Sequence, residues 1–88
     1  MNYTGDGQII SNALVQLIGK GLIRSKEDFC SRINRTIGWL NHRIYGQTPL
    51  SIDERWQMLN MIYEIDSEIA LWAAQTMTML PNLCYGED

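Results

Sequence analysis

Residues that bind metals or form cross-links are scarce in this chain. Two cysteines, Cys30 and Cys84, stand far apart, and His42 is the only histidine. Neither a zinc-ligand spacing nor a disulfide framework can be built from that set. Cys30 is expected to be a reduced thiol on the buried face of a helix. No Gly-rich phosphate loop occurs, and no Ser-His-Asp or Cys-His arrangement has its motif context. The chain is therefore not expected to be an enzyme, and no metal or cofactor is expected. No apolar run reaches the roughly 18 residues that a membrane span needs. Met1 to Gly7 has no basic region ahead of an apolar stretch, so no signal peptide is expected, and the expected compartment is the cytoplasm. Strand-like alternation, internal repeats and low-complexity segments are missing as well.

Positive charge is in short supply overall: 7 Lys and Arg stand against 10 Asp and Glu, a net charge of −3. It is unevenly placed. Residues 17–47 hold Lys20, Arg24, Lys26, Arg32, Arg35 and Arg43 against Glu27 and Asp28, so six basic residues face two acidic ones. Residues 48–88 hold only Arg55 against Asp53, Glu54, Glu64, Asp66, Glu68, Glu87 and Asp88. Such polarity lets a small acidic protein present one basic face to phosphates. It is equally compatible with an ordinary solvated surface.

Apolar spacing and capping residues divide what is present into helices. With 88 residues and 45% hydrophobic content, the chain can form one small domain, a size at which oligomerisation is common. Ile10, Leu14, Leu17 and Ile18 recur at helical spacing and predict a first helix over about 8–19, which Gly19 and Gly21 let end. Residues 1–7 are expected to be a flexible N-terminus. Ser25 is a good N-cap for a helix over about 26–33 that buries Phe29, Cys30 and Ile33. Asn34 tolerates the left-handed conformation of a tight turn. Thr36 caps a helix over about 37–45 that buries Leu40 and Ile44, with Ile37 beside them, and Gly46 closes it. Ser51 and Glu54 match a capping box for a helix over about 52–65. On that helix Ile52, Trp56, Leu59 and Tyr63 form a stripe, flanked by Met58, Ile62 and Ile65. Asp66 or Ser67 starts a last helix over about 67–80, stopped by Pro81.

Two short helices split by the polar turn Asn34-Arg35-Thr36, then a glycine and a capped loop, are the punctuation of a helix-turn-helix. From Leu14 to Ile62 the chain resembles the Cro/phage-repressor (Xre-like) helix-turn-helix family. The resemblance is carried by the spacing from Phe29 to Gly46, Cys30 beside Phe29, Leu40 within the third helix, and Gly46-Gln-Thr-Pro-Leu-Ser-Ile52 leading into the fourth. Asn34 stands where the family has a turn glycine, and Arg35 where it has a small apolar residue. Arg43 falls at an apolar core position, which Ile44 fills if the third helix is rotated slightly, freeing Arg43 to point outward. The implied fold is all-α: four to five short helices, lambda-repressor-like, with an added C-terminal helix. The implied organisation is a helix-turn-helix domain over 8–65, then a C-terminal helix and acidic tail over 66–88.

The resemblance implies a sequence-specific DNA-binding transcriptional regulator, a repressor of phage or plasmid type that binds double-stranded operator DNA as a homodimer. Its groove-facing positions fall on Lys26, Thr36, Ile37, Gly38, Trp39 and His42, with Asn41 and Arg43 on the same helix. Arg24, Arg32 and Arg35 are then clamps on the phosphate backbone. Ile37 and Gly38 offer no hydrogen-bond readout, only a methyl contact or close backbone approach. Trp39 is either a contact residue or a wedge against the fourth helix. The last helix is apolar on more than one side, so Ile69, Trp72, Ala73, Met77 and Leu80 are either a dimer interface or part of the intramolecular core. The alternative function is a protein-interaction module of the same fold. It would bind and modulate another regulatory protein, a polymerase or a nuclease without touching DNA. The acidic pI of about 4.9, the apolar Ile37-Gly38 pair and the apolar C-terminal helix favour that alternative.

Overall fold

A computed structural model describes residues 5–45 and 50–77, and every regular element among them is a helix. In chain order these are α1 (Gly5–Gly19), α2 (Lys26–Arg32), α3 (Ile37–Ile44), α4 (Ile52–Ile65) and α5 (Ser67–Thr76). The protein is all-α with a helix-turn-helix-like arrangement of α2 and α3. Its four later helices start at side-chain caps that supply acceptors for otherwise unpaired backbone donors. Ser25 Oγ accepts from the Asp28 N–H, Thr36 Oγ1 from Trp39, Ser51 Oγ from Glu54 and Asp66 Oδ1 from Ile69. The Ser51–Glu54 capping box is complete, because the Glu54 carboxylate also accepts from the Ser51 N–H at 2.9 Å.

Two helices end by the same device. After α1, Gly21 takes a left-handed φ of 76°, the Leu22 N–H reaches back to the Leu17 carbonyl and the Gly21 N–H to that of Ile18. After α2, Asn34 takes φ 60°, the Arg35 N–H reaches the Cys30 carbonyl and the Asn34 N–H that of Ser31. Both are Schellman endings, which satisfy stranded carbonyls and reverse the chain sharply. The second one is the turn of the helix-turn-helix.

Helix α1 is the element around which the others assemble. It packs on α2, α3 and α5, while α5 also lies along α4. The core draws Ile10, Ala13, Leu14 and Leu17 from α1, Phe29 and Cys30 from α2, and Leu40 and Ile44 from α3. Met58, Leu59 and Ile62 of α4 and Ile69, Ala70, Ala73, Ala74 and Met77 complete it, with Ile23, Ile33 and Leu50 from the connections. Small alanines on the inner face of α5 let its backbone lie close to its neighbours. Ion pairs tie segments distant in sequence, among them Lys20 Nζ to Asp66 at 2.8 Å and Arg55 to Asp6 at 3.2 Å.

The structure corrects the sequence reading at several points. Helix α1 begins at Gly5 rather than near Gln8, so residues 5–7 are helical; residues 1–4 lie outside the described residues. Asp6 contributes to this earlier start by placing a carboxylate in the first turn and pairing with Arg55. Gly7 is buried, and a Cβ there would sit 2.6 Å from the Ile44 carbonyl oxygen, so α1 and α3 touch backbone to backbone at that point. On α4 the buried stripe is Met58, Leu59 and Ile62; Ile52 and Tyr63 are more than half exposed and Trp56 is half-buried. Both candidate stripes are apolar, and the packing of α4 on α5 selects the one that turns inward. Ile18 is half-buried rather than core. Helix α5 ends at Thr76, while Gly46, Pro49, Leu80, Pro81 and Cys84 fall outside the described residues.

Gly7 and Gly19, both on α1, differ in surroundings and give a paired test. Gly7→Ala forces a backbone clash and is expected to destabilise the fold by about 1–3 kcal/mol, in the range of overpacking. Nothing lies within 4 Å of a Cβ at Gly19, so Gly19→Ala is expected to be neutral or to stabilise by up to about 1 kcal/mol. Urea unfolding of both variants checks this.

The Lys20–Asp66 pair makes stability depend on pH. The Asp66 carboxyl lies below its ordinary value, first because Lys20 donates to it and next because the Ile69 N–H does. Lys20 is raised by the same contact. Stabilisation from a depressed carboxyl is complete above its unfolded value and is lost as pH falls through its folded value; that from a raised lysine is complete below its unfolded value and is lost as pH rises through its folded value. Asp66→Asn, which keeps a capping oxygen, is expected to be less stable than the parent at pH 7. The gap should close as pH falls below about 4. Urea midpoints across a pH series read this directly.

Candidate nucleic-acid interface

Helix α3 is eight residues long and has one buried and one open side. Leu40 and Ile44 are buried against the body of the domain, with Ile37 packed on the core edge. Gly38, Asn41, His42 and Tyr45 are all exposed. Their spacing of three, four and seven residues from Gly38 places them on one stripe of the helix. Thr36, Arg35 and Asn34 are exposed at the end of α3 that follows the turn. Gly38 has only the Thr36 hydroxyl near a Cβ position, at 3.9 Å, so the backbone is open to close approach there. Tyr45 was not singled out by sequence reasoning, although its seven-residue spacing from Gly38 was the available signal.

A second row lies at the flank: Arg35, Trp39 and Arg43, at four-residue steps. The Arg35 guanidinium sits over the Trp39 ring at 4.4 Å from the centroid, and that of Arg43 lies 5.8 Å from the same ring. Arg43 does not point outward as the sequence suggested. Ile44 does fill the core position, but Arg43 turns to α4 and pairs with Glu54 at 3.1 Å; both side chains are largely buried. The Glu54 carboxylate thus uses one oxygen for the Ser51 cap and the other for Arg43. The capping box was legible in the sequence; the second use of its glutamate needed the α3–α4 geometry. Trp39 is half-buried, so it serves partly as a wedge and partly as a surface.

The remaining basic residues are distributed less openly than along the sequence. Lys26 donates to Ser11 of α1 at 3.0 Å and is partly buried. Arg32 lies 3.6 Å from Asp28, one turn earlier on α2. Asp28 is held below the usual carboxylate range, chiefly by the Arg24 backbone N–H at 2.9 Å, with the Arg32 charge adding to it. Among the described residues, no carboxylate forms an ion pair with the Arg24 or Arg35 side chains, and both are exposed.

The residues suggested for a dimer interface separate. Ile69, Ala73 and Met77 are buried in the chain's own core, which removes them from the surface; Trp72 is exposed, with Leu71 beside it. Leu80 lies outside the described residues. Sequence reasoning also missed an apolar groove between α4 and α5, about 260 Å³ in volume, lined by Trp56, Asn60, Tyr63, Ala70, Leu71, Ala74 and the buried Leu59. No helix among the described residues is long and apolar enough to cross a membrane. No family model matches this chain, and neither a curated protein nor a solved structure matches it.

The double duty of Glu54 yields a graded test. Glu54→Gln keeps a capping-box acceptor but weakens the bond to Arg43, and is expected to cost about 1 kcal/mol. Glu54→Ala also removes the acceptor for the Ser51 N–H, while the Ser51 Oγ cap remains, and should cost about 1 kcal/mol more. Equal stabilities in urea unfolding would show that the carboxylate does not serve both contacts.

Proposed function

We propose that this protein is a DNA-binding transcriptional regulator that lays α3 along the major groove. The observation that carries this reading is the open stripe of α3, set out from α2 by the left-handed turn at Asn34. Asn41 offers an amide that can donate to and accept from adenine, and Gly38 permits close backbone approach. Thr36 and His42 lie on the same side, and Arg35 flanks it as a phosphate clamp. Ile37 and Arg43 are less suited, since one packs on the core and the other is engaged by Glu54. Sequence-specific repression by a dimer on two half-sites extends this reading; exposed Leu71 and Trp72 are the α5 residues available for pairing.

A second reading is favoured by a specific observation. Much of the basic segment is used in internal contacts, and the α4–α5 groove is apolar. A module that docks a protein partner instead of DNA fits those two features.

Fluorescence anisotropy against random duplex DNA at 50 and 200 mM salt separates the readings. Two phosphate contacts would weaken binding about tenfold over that range, and three about 40-fold. Salt-dependent binding of that size is the expected result. No binding at the lower salt would favour the protein-docking module.

A further inference from the structure

We propose that Trp39 is a positioning residue, which holds Arg35 ready for a nucleic-acid phosphate at the start of α3. This deepens the DNA-binding reading and rests on it. The indole is itself held in place: it is half-buried, and Arg43, fixed by Glu54, lies on the same four-residue row. The other end of the row carries Arg35, exposed and without an ion pair among the described residues, yet stacked at 4.4 Å over the ring. An arginine side chain is long and loses much rotamer freedom when it makes a fixed contact. Stacking on an anchored ring restricts it beforehand while leaving its edge N–H groups for an anion. The row Glu54–Arg43–Trp39–Arg35 therefore links the α4 capping box to the exposed Arg35 guanidinium beside the open stripe of α3.

The test uses the full chain, a random-sequence duplex and two readouts. In the free protein, NMR is expected to show the Arg35 side-chain protons shifted upfield by the Trp39 ring, with the shift lost in Trp39→Leu and largely kept in Trp39→Phe. In anisotropy, Trp39→Leu is expected to weaken duplex binding about fivefold. In an Arg35→Ala background the same change should have no further effect, because the ring acts through Arg35. Arg35→Lys, an exposed substitution with little folding risk, keeps the charge without the planar stack and should bind about as weakly as Trp39→Leu, with Arg35→Ala weaker still because the charge is lost too. It carries the test if Trp39→Leu does not fold.

Additive effects of the Trp39 and Arg35 changes, or wild-type affinity in Arg35→Lys, would overturn the positioning role while leaving DNA binding intact. An unshifted Arg35 in the free protein would overturn the stack itself. Absence of salt-dependent binding by the wild type would overturn the positioning role together with the reading beneath it.

Discussion

The backbone contact between the first turn of α1 and the last turn of α3 is the constraint on which the candidate site depends. A Cβ at Gly7 would lie 2.6 Å from the Ile44 carbonyl, so only glycine allows the two helices to meet there. An eight-residue helix has too few internal hydrogen bonds to persist alone and takes its stability from what it packs against. Helix α1 provides that support and also packs on α2 and α5. The start of α3 is fixed separately, by the Schellman turn at Asn34 and the Thr36 cap. Its flank is fixed by Arg43 and Glu54. Three independent contacts thus orient one short helix and leave a single stripe of it exposed.

Electrostatics in three dimensions differ from the charge profile along the chain. The basic segment 17–47 receives carboxylates from outside itself: Asp66 meets Lys20 and Glu54 meets Arg43. Asp28 meets Arg32 from within it. Among the described residues, the exposed basic side chains outside these ion pairs are Arg35 and Arg24, next to the turn and to the approach to α2. A surface with so few open cations gains modest affinity from phosphates and leaves discrimination to short-range contacts. Glu54 is central to this pattern, since it caps α4, ties α4 to α3 and removes one arginine from the surface.

Much of the fold was legible in the sequence because its boundaries are chemical. Ser25, Thr36, Ser51 and Asp66 announce helix starts, and each cap is formed. Gly21 and Asn34 mark the left-handed endings. The phase of α4 was not legible, because two overlapping apolar stripes share Leu59 and only packing chooses between them. The start of α1 was hidden in a polar, glycine-containing segment whose Gly7 acts through its lack of a side chain. Arg43 was misjudged for a related reason: its partner lies eleven residues away, across a connection that sequence spacing does not describe. On α5 the sequence left Ile69, Trp72, Ala73 and Met77 open between a dimer interface and the core; packing buries Ile69, Ala73 and Met77 together with Ala70 and Ala74 and leaves Trp72 outside.

Mapping backbone amide shifts of isotopically labelled protein during titration with duplex DNA tests the central claim most directly. Progressive shifts are expected at Arg35, Thr36, Gly38, Asn41 and His42, with Asn60, Tyr63 and Leu71 of the α4–α5 groove unmoved. Shifts confined to the groove, or an unchanged spectrum at low salt, would contradict α3 as the DNA-facing element.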